Sequence, residues 1–311
     1  MNNYKTLFSL RLLKDILQIF IDNFIVLYFL QVSDSNILPL GIYNLLSVSM
    51  IFGTIFLLRN LAKSMNRVNL FRIGIILYFA YFSSILLLRE KVVDYIYFVG
   101  ILHGVAAGFY YSVYNCFEAD GVQNKERARF TGLLMFARSA IAIIFPVLMG
   151  SFIFSSGFVN ALMIVLAIVC IQIILSFKYK DENIPIGDKT NFKEFLNIVN
   201  KNKSIRYLYK MEICDGLTYS DGAFASIVMI YIIKVFSNSF SLGVFTSIFS
   251  IIVCLIGILF SKKIIKPENY SRDILISTIC TVISLFIMII HCNSITIICF
   301  NFFQTISKNL T

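Results

Sequence analysis

Lys14, Gln18 and Asp22 stand four residues apart in an otherwise apolar stretch, with Asp15 beside them. In a helix that spacing puts the three on one face. A carboxylate held away from bulk water can take up and release a proton or another cation. Asp22, with Asn23 next to it, is therefore a candidate ion site. The alternative is a structural pair with Arg138, a lone arginine inside another apolar run. Arg138 calls for a carboxylate, from Asp15 or Asp22, or for the anionic group of a solute. His103, Tyr110 and Tyr114 recur at i, i+7 and i+11 on one helical face. Such a stripe lines a cavity with hydroxyls and one titratable imidazole, or else packs against a neighbouring helix. Asn115 lies in the same half of that run.

A second polar set, Glu212, Asp215, Thr218, Tyr219, Asp221 and Ser226, is the densest in any apolar run. Gly216 and Gly222 loosen that helix, and discontinuous helices often form transport sites. Asp215 and Asp221 are about 120° apart on an ideal helix, so at most one faces a shared site. Asn301 and Gln304 are weaker candidates.

The elements that carry these residues follow from composition. Apolar residues make up 58% of the 311 and charged ones 14%, and a water-soluble fold of this size cannot hide so much Phe, Ile and Leu. A bilayer core of about 30 Å takes about 20 apolar residues in helix. Runs of that order predict an all-α integral membrane protein of about ten spans. These lie near Phe8–Leu30, Ile37–Leu58, Leu70–Leu88, Val92–Phe117, Phe130–Phe154, Val159–Phe177, Ile205–Val235, Phe240–Phe260, Ile274–Ile290 and Ile295–Ile306. Arg138 then lies about 12 Å into the fifth, while Lys14 and Asp15 lie near the surface and snorkel towards it.

Of the 27 Lys and Arg, Arg89, Lys91 and Lys234 fall on one side of the membrane, Arg138 lies within a span, and the rest fall on the other side. This alternation puts the N-terminus in the cytoplasm of a cell-membrane protein. It also accounts for the net charge of +10 without nucleic acid, which binds basic residues clustered on one folded face. No G-x-x-x-x-G-K-[ST] phosphate loop occurs, so ATP is not expected. No nucleophile–base pair or metal spacing points to an enzyme or a cofactor, and the seven cysteines read as small buried hydrophobes. The expected partners are membrane lipid, a small solute and H⁺.

The long polar stretch divides the chain into a six-helix bundle over 1–177, a cytoplasmic loop over 178–204 and four spans over 205–311. Within the loop, Asn191 and Glu194 have capping-box spacing, and Phe192, Phe195, Leu196 and Val199 form an apolar stripe. Together they predict a short helix on the membrane face. The two parts repeat in order: Ser33 to Gly41 precedes the second span as Ser237 to Gly243 precedes the eighth, with acids before and a basic turn after. A 6 + 4 pseudo-repeat of this kind is a transporter signal.

Three local runs add to this architecture. Leu61-Ala-Lys-Ser-Met-Asn-Arg-Val-Asn-Leu-Phe-Arg-Ile-Gly74 follows the second span, Glu118 to Gly132 joins the fourth and fifth, and Phe145-Pro-Val-Leu-Met-Gly150 lies in the fifth. Over essentially its whole length the chain resembles the major facilitator superfamily, whose basic turn is written G-x-x-x-D-R-x-G-R-R and whose fifth span carries G-P-x-x-G.

The resemblance implies a facilitator-type bundle working as a secondary transporter. It also implies gating roles for Lys63, Asn66, Arg67, Glu118, Asp120 and Arg127. Lys63 stands where the turn has Asp and Asn66 where it has its second Gly, a position whose left-handed backbone Asn tolerates. Gly100 replaces the Arg that the drug-antiporter motif places four residues before Gly104. The family has twelve spans and this sequence ten, so the resemblance implies a facilitator lacking the last two, either truncated or without them in its gene. Proton-coupled export of a small amphipathic compound suits an aromatic cavity, with uptake of a sugar, peptide or metabolite left open. The alternative is a non-transporting, truncated facilitator-like protein serving as receptor, immunity factor or scaffold.

Overall fold

The computed structural model describes residues 3–61, 65–121, 124–179, 192–208, 210, 223–261, 270–290 and 293–310. Among these, seven helices are long and apolar enough to cross a membrane: Tyr4–Val32, Leu38–Leu58, Arg67–Val93, Ile96–Ala119, Arg129–Ser156, Phe158–Ser176 and Ser239–Ile258. They coincide with expected spans one to six and eight. The other three expected spans fall on the helices Ala223–Val235, Tyr270–Ile290 and Ser294–Leu310. A further helix, Phe192–Lys201, occupies the central stretch; its expected cap, Asn191, lies outside the described residues.

The chain forms two compact units, Met1–Ile186 with Asn238–Val244, and Gly187–Ser237 with Phe245–Thr311. In the first, Leu45, Phe52, Leu87, Phe136 and Phe154 are exposed. So much bare apolar surface is stable only where lipid is the solvent. In the second unit, spans nine and ten pack side by side, joined by Gln304 Nε2 donating to Ser284 Oγ at 3.1 Å. Within lipid such a bond contributes about 0.6 kcal/mol.

Glycines set the closest packing of the first unit. A Cβ on Gly104 would come within 2.7 Å of the Met50 Cβ, and one on Gly108 within 2.6 Å of the Thr54 Cβ. The Gly100–Gly104–Gly108 stripe therefore lets span four lie directly on span two. This brings Tyr43 and Ser47 of span two up to His103. Span three packs against spans four and six, and span one lies against spans five and six.

Span one is not a uniform helix. Asn3–Phe20 runs into a π-helical turn over Ile21–Ile25, and α-helix resumes over Val26–Val32. Asn23 Nδ2 donates to the Ile19 carbonyl at 2.8 Å, giving a side-chain donor to backbone in the distorted stretch. Single π-turns inside α-helices are uncommon and often lie at functional sites. This one holds Asp22 and Asn23.

Candidate functional site

The polar face expected on span one exists and is continuous. Lys14 Nζ donates to Gln18 Oε1 at 2.9 Å, and Gln18 Nε2 donates to Asp22 Oδ1 at 2.8 Å. Tyr111 adds its hydroxyl to Gln18 Oε1 at 3.2 Å. The line runs from a fully buried ammonium to an exposed carboxylate at the π-turn. Gln18 suits the middle because its amide accepts from the cation and donates to the anion.

The expectation that Lys14 snorkels is corrected: its side chain has 0% exposure. Its Nζ lies 4.1 Å from the Tyr78 ring centre, 5.0 Å from that of Tyr111 and 5.8 Å from that of Tyr110. The negative ring faces of spans three and four replace the water the ammonium has lost. Asp15, also expected at the surface, is buried too.

Arg138 takes its carboxylate from Asp15. Its Nε lies 3.1 Å from Asp15 Oδ2, and Arg11 Nε lies 3.5 Å from Oδ1. Arg11 also sits over the Tyr114 ring at 5.0 Å. The Arg138 side chain is 49% exposed, against 14% for Arg11.

A second network surrounds His103. Its Nδ1 lies 2.8 Å from the Tyr43 hydroxyl and 3.2 Å from Ser47 Oγ, and Tyr43 meets the Tyr81 hydroxyl at 2.7 Å. The imidazole stacks on Tyr43 and Tyr81, while the Tyr78 ring lies 6.1 Å from both His103 and Tyr110. Tyr110 stacks on Tyr114 at 5.9 Å, donates to the Leu10 carbonyl at 2.9 Å and receives Gln172 Nε2 at 3.2 Å. The His103–Tyr110–Tyr114 face is thus a buried, bonded column between helices. His103 Nε2, Tyr78 Oη and Tyr114 Oη have no protein partner among the described residues.

The remaining candidates lie apart. Asn115 is exposed, Asn23 is buried in the π-turn, and Asp215 and Asp221 lie outside the described residues. In the basic turn, Lys63 also lies outside them. Asn66 departs from the left-handed geometry expected: at φ −66° and ψ 142° it is extended and caps the next helix, its side chain accepting from Val68 N at 3.0 Å. A capping Asn supplies the acceptor that the first turn lacks. Arg67 is buried with its guanidinium 5.8 Å from the Phe117 ring centre, Glu118 is half-buried, and Arg127 Nη2 donates to the Ala119 carbonyl at 2.6 Å. Asp120 lies near the end of the helix Ile96–Gly121, with its side chain outside the described ones.

Arg11, Tyr43, Tyr78, Tyr81, Tyr111 and Gln172 were not among the sequence candidates. Their signal is a polar atom within an apolar run, plainest for Gln172 in the most hydrophobic span.

Three kinds of likeness place the chain. The profile described as Major Facilitator Superfamily matches residues 10–308. The uncharacterized protein YqgE of Bacillus subtilis (strain 168) is 24% identical over 301 residues, 94% of this chain and 68% of that one. An uncharacterized protein in the sodM 3' region of Geobacillus stearothermophilus is 29% identical over 116 residues, 37% of this chain and 54% of that one. Among solved structures, the peptide transporter POT in complex with sulfate has a TM-score of 0.67 at 11% identity, over 99% of this chain and 80% of that one. With helices only among the described residues and a profile match over nearly its whole length, the chain belongs to the Major Facilitator Superfamily.

Proposed function

We propose that the chain moves a small solute across the cell membrane by alternating access, driven by protons that Asp22 takes up and releases. Membership of a family of secondary transporters supports the transport reading. The observation that carries the site is the Lys14–Gln18–Asp22 line, which ends in an exposed carboxylate on a π-turn. An acid so placed meets solvent or solute on one side and a buried cation on the other. Protonation would weaken its hold on Gln18 and free that amide to move.

The test uses purified protein in liposomes holding a pH-sensitive dye, under an imposed pH gradient, with a panel of amphipathic solutes. At least one solute is expected to speed collapse of the gradient, and Asp22→Asn to slow that collapse about tenfold or more at unchanged expression. Collapse that no solute alters would favour the non-transporting reading. Equal rates in wild type and Asp22→Asn would remove the acid from the mechanism.

The proposal also places the N-terminus and the helix Phe192–Lys201 in the cytoplasm, from the one-sided distribution of Lys and Arg. Reporter fusions at Ser156 and at Asn202 are expected in opposite compartments. Both in the same compartment would overturn this topology.

A further inference from the structure

Three basic side chains gather along span one and differ in how they are held. Arg11 and Arg138 both face Asp15, while Lys14 reaches Asp22 through Gln18. The ammonium of Lys14 is enclosed by rings and Gln18, and Arg11 lies over Tyr114 with little exposure. Arg138 differs from both. Its Nε faces Asp15 while half of its side chain is open, and its terminal nitrogens donate to no described residue.

We propose that Arg138 binds an oxyanion carried by the solute through the open end of its guanidinium. This rests on the transport reading and narrows its solute to an anionic class. A guanidinium held at Nε presents its two terminal nitrogens as a planar fork, which matches a carboxylate, phosphate or sulfonate through two parallel bonds. Asp15 sets the direction of the fork, and a cation in a membrane span favours an anion over neutral analogues.

The test is equilibrium binding by the purified full chain in detergent. The chain has no Trp and 16 Tyr, so thermal unfolding is followed by tyrosine emission. Sodium benzoate, inorganic phosphate and sodium sulfate form three arms, with tetramethylammonium chloride at equal ionic strength as the control. At least one arm is expected to raise the unfolding temperature with a saturable concentration dependence, and the arm that does so names the anion. Arg138→Gln should weaken that binding at least about tenfold. Arg138→Lys, which keeps the charge without the fork, should weaken it about fivefold. No saturable response in any arm, or the same response in Arg138→Gln, overturns the proposal. If Arg138→Gln does not fold, Arg138→Lys decides, and wild-type affinity there overturns it. Binding without solute-dependent flux would sink the transport reading alone. Flux without oxyanion binding would sink this inference alone.

Discussion

Lys14→Glu is expected to eliminate the folded protein, while Lys14→Met is expected to leave it recoverable. The Lys14 ammonium is fully buried, 4.1 Å from the Tyr78 ring centre, and its hydrogen bond ends on the oxygen of Gln18. Each of these partners offers negative potential. A desolvated cation over an aromatic face gains about 2 kcal/mol or more. Glutamate would reverse the sign against the rings and against Gln18 Oε1, and would leave a buried charge uncompensated at about 3–5 kcal/mol. Methionine fills a similar volume and carries no charge, so it forfeits the ring attraction but also removes the desolvation of the ammonium. Gln18 Oε1 keeps the Tyr111 hydroxyl at 3.2 Å in that variant. Size-exclusion profiles in detergent and thermal unfolding separate the two cases. A Lys14→Glu protein as monodisperse and stable as wild type would show that the side chain lives at the surface.

Why the sequence placed Lys14 wrongly is instructive. Counting residues from the N-terminus gives depth along one helix, and by that measure residue 14 is shallow. Its burial is made by Tyr78 of span three and by Tyr110 and Tyr111 of span four, far away in the chain. No local pattern announces that cage. The π-turn at Ile21–Ile25 escaped for a related reason: the extra residue in one turn answers to packing, and a 3.6-residue pattern is too tolerant to register it. In contrast, the i, i+4, i+8 line of Lys14, Gln18 and Asp22 was legible because it lies within one helix, where spacing fixes the face. The glycine stripe of span four was legible as packing on the same ground.

Span positions were read well where hydropathy alone decides them and less well at their ends. The fifth helix begins at Asn124, six residues before the expected Phe130, because a helix need not stop where lipid does. Hydropathy marks the apolar part only. The basic turn shows the opposite weakness of motif reading. Alignment put Asn66 at a glycine position and suggested left-handed backbone, while the local need was an acceptor for the helix opening at Arg67. Asn meets either demand, and the helix that opens at Arg67 selects the cap. Arg138 is intermediate: its need for a carboxylate was plain, but two acids about two helical turns apart both qualified, and the tertiary contact selected Asp15.

That selection makes Asp15→Asn the second large-effect substitution, with a defined partial rescue. Asp15 faces Arg11 at 3.5 Å and Arg138 at 3.1 Å, with its side chain only 8% exposed. Neutralising it leaves two guanidinium groups close together with no carboxylate between them. Arg11, at 14% side-chain exposure, has little solvent to turn to. The expected cost is about 3–5 kcal/mol, the usual result of removing one partner from a buried charge pair. Arg138→Gln alone should cost about 1 kcal/mol or less, since that side chain is half open and Asp15 keeps Arg11. In the double variant one of the two stranded cations is gone, so it should be more stable than the sum of the single losses predicts. The coupling should fall within about 0.5–3 kcal/mol. Unfolding in detergent of all four proteins completes the cycle. Additivity within about 0.5 kcal/mol would mean that the Asp15–Arg138 contact carries no energy, and that Arg138 is held in place by something other than this carboxylate.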